Sequence, residues 1–185
     1  NNFNGDLIKW DTAQVDNMEE MFKKAAVFNG DVSKLDTARV IKLEYMFEET
    51  IFNGDLSKWD TAKVDALWKT FSQAKAFNRD VSKWDTARVT KMAWTFHQAI
   101  AFNQPIGAWD TSKVTKAHQM FKTASSFDQD LSGWDTQQMV DKKDEDLKGC
   151  YDFATDSGCD QNRPHPKFET CGAEFKNCTP CPRDP

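Results

Sequence analysis

One stretch, FNGDLSKWDTAKVDALWKTFSQAKA from Phe52 to Ala76, sets the pattern of the chain, with counterparts beginning at Phe3, Phe28, Phe77, Phe102 and Phe127. A period of about 20 to 50 residues marks a stacked repeat array, because so short a unit buries its apolar face only against its neighbours. The pattern places six repeats, the last partial, in residues 1–140. Residues 141–185 form a second segment, a cysteine-rich irregular cap or tail that holds all five cysteines and Pro164, Pro166, Pro180 and Pro182.

Within the unit, Phe52-Asn53-Gly54-Asp55 reads as a turn, with Gly supplying positive φ and Asn and Asp bonding nearby backbone. Asn4, Asn29, Asn53, Asn78 and Asn103 recur at this place. Stacked at one level they would form an asparagine ladder, which Asp128 breaks. Leu56 to Trp59 is too short for a helix and reads as one parallel strand. Its two apolar residues are three apart, so a bulge or tight turn is needed if both face inward. Asp60-Thr61 recurs as Asp11-Thr12, Asp36-Thr37, Asp85-Thr86, Asp110-Thr111 and Asp135-Thr136 and reads as a helix start. Val64, Leu67, Thr70, Phe71 and Ala74 then fall on one face at helical spacing.

The expectation is a curved α/β solenoid with one short strand and one helix per repeat. Strands stack about 4.8 Å apart and helices about 8 to 10 Å, so strands would line the inside. Columns of Phe28, Phe52, Phe77 and Phe102 and of Trp59, Trp84, Trp109 and Trp134 are expected in the core. Leu35 replaces Trp in the second repeat, which is also one residue short after Phe47, so less regular packing is expected there.

The pattern FNGDLSKWDTAKV, followed by a segment closing in Met-Phe as at Met21-Phe22, Met46-Phe47 and Met120-Phe121, resembles the tandem repeat of BspA-like leucine-rich-repeat surface proteins. The resemblance covers Phe3 to about Val140. It implies a leucine-rich-repeat-like solenoid on secreted or cell-surface chains, associated with adhesion, and it brings no catalytic residues. Trp68 and Trp94 stand where polar residues are common in that repeat, and the cysteine-rich tail lies outside it.

The chemistry-bearing residues are sparse. Six Asp in the Asp-Thr pairs, and Asp6, Asp31, Asp55, Asp80 and Asp130, form ladders, with Pro105 interrupting the second. Capping explains them more simply than calcium, because the loop spacing of a dedicated calcium site is absent. His97 and His118 are expected on adjacent helices, solvent-facing and without a third ligand, and His165 lies between two prolines. No metal site, cofactor site or catalytic constellation is expected, and the chain reads as not an enzyme. Its formal charge of −5, with no basic stripe, argues against nucleic acid. No apolar run is long enough to span a bilayer. The chain opens inside a repeat without Met and reads as a piece of a longer product.

The resulting expectation is an extracellular or cell-surface structural or adhesive module, making protein–protein contacts or self-assembling. The alternative is a soluble receptor for one protein or glycan ligand on its concave face. On helical geometry, the position five after each Val points away from the core. Tyr45, Lys69 and Trp94 occupy it, Trp68 lies at the margin, and these four are the interaction candidates. Asn177-Cys178-Thr179 fits a glycosylation pattern. Cys178 and Cys181 form a lone CxxC, and with Cys150, Cys159 and Cys171 they suit disulfides better than zinc, since so short a tail needs staples. Mass spectrometry of protein from its native source, without reductant, should find fewer than five free thiols. Five would contradict both the stapled tail and the extracellular expectation.

Overall fold

The computed structural model describes residues 3–139 and 153–154. Successive repeats stack in parallel register, but among the described residues there is no helix, and the only strand-like pairing is a row of isolated parallel bridges. These join Asn17 to Lys42, Lys42 to Ala66, Ala66 to Lys91 and Lys91 to Lys116. The expected helix and strand of each repeat are therefore both corrected. The curvature argument, which needed one on each side, falls with them.

Each repeat is a string of tight turns. In the third, amide N–H groups donate within the repeat from Trp59 to Leu56, Val64 to Thr61, Thr70 to Leu67, Ala74 to Phe71 and Phe77 to Ala74, at 2.9–3.2 Å. Leu56 and Trp59 thus bracket a turn rather than lie on a strand, and both are buried. Along 67–73, the amides of Leu67, Lys69, Phe71 and Gln73 instead donate to the carbonyls of Lys91, Ala93, Thr95 and His97 in the next repeat, at 2.7–3.1 Å. A helix would have sent these bonds four residues back along its own chain. Here the partners are a repeat away.

The helical reading failed for a specific reason. A turn and a helix both return to the core every three or four residues, so Val64, Leu67, Thr70, Phe71 and Ala74 are all buried, as the pattern required. The spacing marks the inward positions without distinguishing the backbone that produces it. Nor do Asp and Thr cap anything. The Asp60 carboxylate accepts the amide of Ala62 at 3.0 Å, and the Thr61 hydroxyl donates to the Asp85 carbonyl at 3.1 Å. Thr12, Thr86 and Thr111 repeat this link to the next repeat.

The asparagine ladder is present. The side-chain carbonyls of Asn4, Asn29, Asn53 and Asn78 accept the amides of Asn29, Asn53, Asn78 and Asn103 at 2.8–3.1 Å, and Asn103 accepts from Asp128. Gly54 serves a different purpose from the one expected. Among the described residues no glycine has positive φ. An added Cβ on Gly54 would instead meet the Phe52 ring at 2.6 Å, so glycine makes room for a ring folded onto its own backbone.

The core is built of aromatic columns. Phe52 and Phe77 stack at 6.3 Å, Phe47 and Phe71 at 5.6 Å, and each repeat closes with a tighter pair such as Phe71 and Phe77 at 3.9 Å. Trp59, Trp84, Trp109 and Trp134 form a third column with centroids 6.3–6.4 Å apart and near-parallel rings. Burial of each large side chain contributes about 1.5 to 3 kcal/mol. At the far end the amide of Phe121 donates to the Phe153 carbonyl at 2.8 Å, and the Phe153 ring lies edge-on to Phe121 and Trp134. Phe153 thereby takes the place that a following repeat takes elsewhere.

The short second repeat is absorbed locally. The Thr50 hydroxyl donates to the Phe47 carbonyl at 2.9 Å and accepts the Phe52 amide at 3.3 Å, standing in for the two backbone bonds of a full-length corner. Phe47 and Phe52 keep the 4.0 Å spacing of Phe22 and Phe28. A shallow cavity of about 280 Å³, lined by Ala26, Glu49, Thr50, Ile51, Gln73 and Lys75, lies at this corner.

The turns carry a cost. Ten non-glycine residues have φ between 53° and 59°: Glu20, Lys24, Tyr45, Glu49, Lys69, Gln73, Trp94, Gln98, Gln119 and Thr123. This region costs an L-residue roughly 1 to 2 kcal/mol, whereas glycine enters it freely. Gln98→Gly should therefore raise stability by about 0.5 to 1 kcal/mol in urea unfolding. A helix would lose about 1 kcal/mol from the same change. Far-UV circular dichroism of the wild type should likewise lack a helical double minimum.

Candidate functional site

The residues five after each repeat's Val are Glu20, Tyr45, Lys69, Trp94 and Gln119, all in the left-handed region. They form one column on the outside of the stack, with Tyr45, Lys69 and Trp94 half-buried rather than fully exposed. The turn geometry, not a helix, puts them there. No glycine or asparagine marks the position, so the sequence held no sign of its backbone conformation.

Within this column cations and aromatic rings alternate. Lys23 Nζ lies 4.3 Å from the Tyr45 ring centre, and Lys69 Nζ lies 5.5 Å from it on the repeat beyond. Lys69 also lies 5.3 Å from the Trp94 ring, whose Nε1–H donates to the Gln119 side-chain carbonyl at 2.8 Å. Cation–ring contacts of this kind contribute about 0.5 to 1 kcal/mol at exposed sites. Two buried carboxylates tie the lysines down. Glu48 is 3.6 Å from both Lys23 and Lys69, and Glu44 is 3.6 Å from Lys42 and 3.9 Å from Lys91.

Beside this column Trp68 meets Trp94 at 5.3 Å with the rings tilted by 37°. Tyr45 is joined to this pair through Lys69. All four interaction candidates therefore share one surface, and Trp94, pointing away from its own repeat's core, packs against Trp68, His118 and Lys69. The small Ala93 holds the equivalent of position 68 one repeat on, and across it Trp68 reaches His118 two repeats away, at 6.0 Å and edge-on.

His118 corrects another expectation. It is 2% exposed rather than solvent-facing, and its ring stands perpendicular to Trp94 at 4.1 Å. Its Nδ1 and Nε2, like the Trp68 Nε1, are buried with no hydrogen-bond partner. Burial, with Lys116 adding, pushes its pKa down to about 4, so it is neutral at pH 7. His97, only half-buried, is also lowered by burial and by Lys122 and Lys69. The sequence placed His118 on the outside because the helical wheel turned it there.

Carboxylates of both Asp ladders are occupied by local bonds. The backbone amides and then the hydroxyls of Ser33 and Ser57 hold the carboxyls of Asp31 and Asp55 below their usual value. The hydroxyls and then the amides of Ser82 and Ser112 do the same for Asp80 and Asp110. Among the described residues no group of three or more His, Cys, Asp or Glu is placed to hold a metal ion, and no helix is long and apolar enough to cross a membrane. Cys150, Cys159, Cys171, Cys178, Cys181 and Asn177 lie outside the described residues.

A family model described as "Mycoplasma protein of unknown function, DUF285" matches the chain twice, over residues 1–66 and 49–158. No curated protein and no solved structure matches it.

The histidines set a pH window. Both have folded pKa values below the unfolded value of about 6.5, so the unfolded chain binds more protons as acid is added. Their contribution is complete above pH about 6.5 and is lost as the pH falls below it, for His118 down to about 4. For His118 this amounts to about 3 kcal/mol. The depressed Asp residues lose their contribution lower, below about pH 4. In urea unfolding at pH 7 and pH 4.5, His118→Phe should remove most of the wild-type difference, leaving a smaller slope from His97.

Proposed function

The chain belongs to the DUF285 family, and from that premise we propose that it is a non-enzymatic adhesive repeat module of an extracellular or cell-surface protein. It engages its partner through the outer face centred on Tyr45, Trp68, Lys69 and Trp94. One observation carries the reading: four half-buried aromatic and cationic side chains from three successive repeats converge on one surface. Half-buried aromatic anchors among charged neighbours are what binding hot spots are made of. The resemblance to BspA-like surface repeats supports the location. A stack tied by backbone bonds between repeats supports a presenting role, since it holds side chains at fixed spacing without requiring any one of them for folding.

The test is attachment of the purified chain to native cell or matrix material, beside Tyr45→Ala and Trp94→Ala, with sedimentation to detect self-association. Trp94→Ala should weaken attachment or self-association about ten-fold or more. Unchanged attachment, with all proteins monomeric at high concentration, would rule this face out.

A further inference from the structure

The outer face is not uniform along the stack. At the positions two, four, five, eight and nine after each Val, the first two repeats carry Glu19, Glu20, Glu44, Glu48 and Glu49 among their lysines. The next three carry Lys69, Lys91, Lys116 and Lys122 with no carboxylate at those positions. A protein with a net charge of −5 therefore presents a local cationic field around Trp68, Trp94 and His118. Lys116 lies 6.0 Å from the Trp68 ring and Lys69 lies 5.3 Å from the Trp94 ring, so the indoles are flanked by ammonium groups.

Under the indoles lie polar atoms that the protein does not satisfy. Neutral His118 offers one donor and one acceptor, and the Trp68 Nε1–H adds a second donor. Burying such groups without partners is costly, about 1 to 3 kcal/mol each in proteins. An apolar residue at position 118 would avoid the cost. A group that accepts and donates together matches all three functions, and the hydroxyls of a sugar do so. Carboxylates or phosphates match only the donors.

We propose that the Trp68, Trp94 and His118 cluster binds an acidic polysaccharide carrying uronate residues. The indoles stack on its sugar rings, the Trp68 and His118 nitrogens meet its hydroxyls, and Lys116 beside them meets a carboxylate. This rests on the outer face being the contact surface. Single-stranded nucleic acid would also stack on the indoles, but it brings one phosphate per nucleotide. Lys69 and Lys91 are already within 3.6–3.9 Å of Glu48 and Glu44, so Lys116 beside Trp68 is the main cation left to a ligand, which suits a sparsely charged sugar chain better than a charge on every unit. The Trp68 and His118 nitrogens are buried beneath the indoles, so engagement requires the Trp68 ring to swing outward and uncover His118 as well, and tryptophan fluorescence reports the event.

The probes are a hyaluronan decasaccharide, its carboxyl-reduced neutral form, poly-L-glutamate and oligo(dT), each titrated into the full chain. Hyaluronan should bind, shift the emission and weaken with salt, and the neutral form should bind about ten-fold more weakly. Trp68→Ala and Trp94→Ala should each cost about ten-fold or more, and Lys116→Gln, chosen because it leaves the core intact, a few-fold. His118→Phe should lose several-fold in affinity while its unfolding midpoint at pH 7 stays level or rises; a purely structural histidine would change the midpoint alone. Absence of hyaluronan binding, equal binding of the neutral form, poly-L-glutamate or oligo(dT), or binding unaffected by Trp94→Ala and Lys116→Gln would overturn the proposal. If Trp94→Ala weakens attachment to native material while hyaluronan does not bind, the glycan fails and the outer-face contact stands. If attachment is unaffected, the outer face itself fails.

Discussion

Along the segment from Leu67 to Gln73, alternate amides bond the next repeat while those of Thr70 and Ser72 close turns within their own, and the rest of the structure follows from that division. A short repeat cannot satisfy its buried backbone by itself, and in this fold neither a helix nor an extended sheet does so for it. The bonds between repeats fix one register, and that register brings Phe over Phe and Trp over Trp. The asparagine and threonine side chains extend the same linkage to the other corners, each bonding backbone of the adjacent repeat. Polar satisfaction and apolar stacking thus point to one arrangement, which is what gives a sequence a single fold.

The same division constrains the surface. Closing turns at 67–70 and 71–74 puts Lys69 and Gln73 at positive φ, and their equivalents recur in every repeat from the first to the fifth. A left-handed residue of this kind carries its side chain outside the core. Its identity is therefore free of packing demands, which explains why Glu20, Tyr45, Lys69, Trp94 and Gln119 differ while the neighbouring Phe22, Phe47, Phe71, Phe96 and Phe121 do not. The scaffold repeats, and the outward column is where one repeat can differ from the next.

Tension between stability and surface chemistry is most visible at His118. Its ring packs well, edge-on to two indoles, yet its nitrogens are unmet and its proton affinity is lowered accordingly. The second repeat offers a contrast. There a missing residue is compensated by the Thr50 hydroxyl, which replaces both lost bonds. Glu44 and Glu48, also buried, are each held between lysines. His118 has no such partner for either ring nitrogen, and among the described residues the indole nitrogens of Trp68 and of Trp84 in the core column are also unmet.

By itself the sequence determined the period, the inward positions and the ladder residues. Phe52, Leu56, Trp59, Val64, Leu67, Phe71 and Ala74 are buried as their spacing required, and the recurring Asn bonds the neighbouring repeat. These were legible because burial depends on which residues return to the core and how often. The route the backbone takes between them was decided only by tertiary structure, since a turn and a helix return at the same interval. The difference lies in whether an amide finds its partner in its own chain segment or a repeat away, and no residue at 69 or 94 records that choice. The candidate face was legible as a set of outward aromatics, Tyr45, Trp68 and Trp94, because they broke the repeat pattern. The place of His118 beneath them was not, because it depends on Ala93 leaving room for a ring from one repeat to reach another two repeats on.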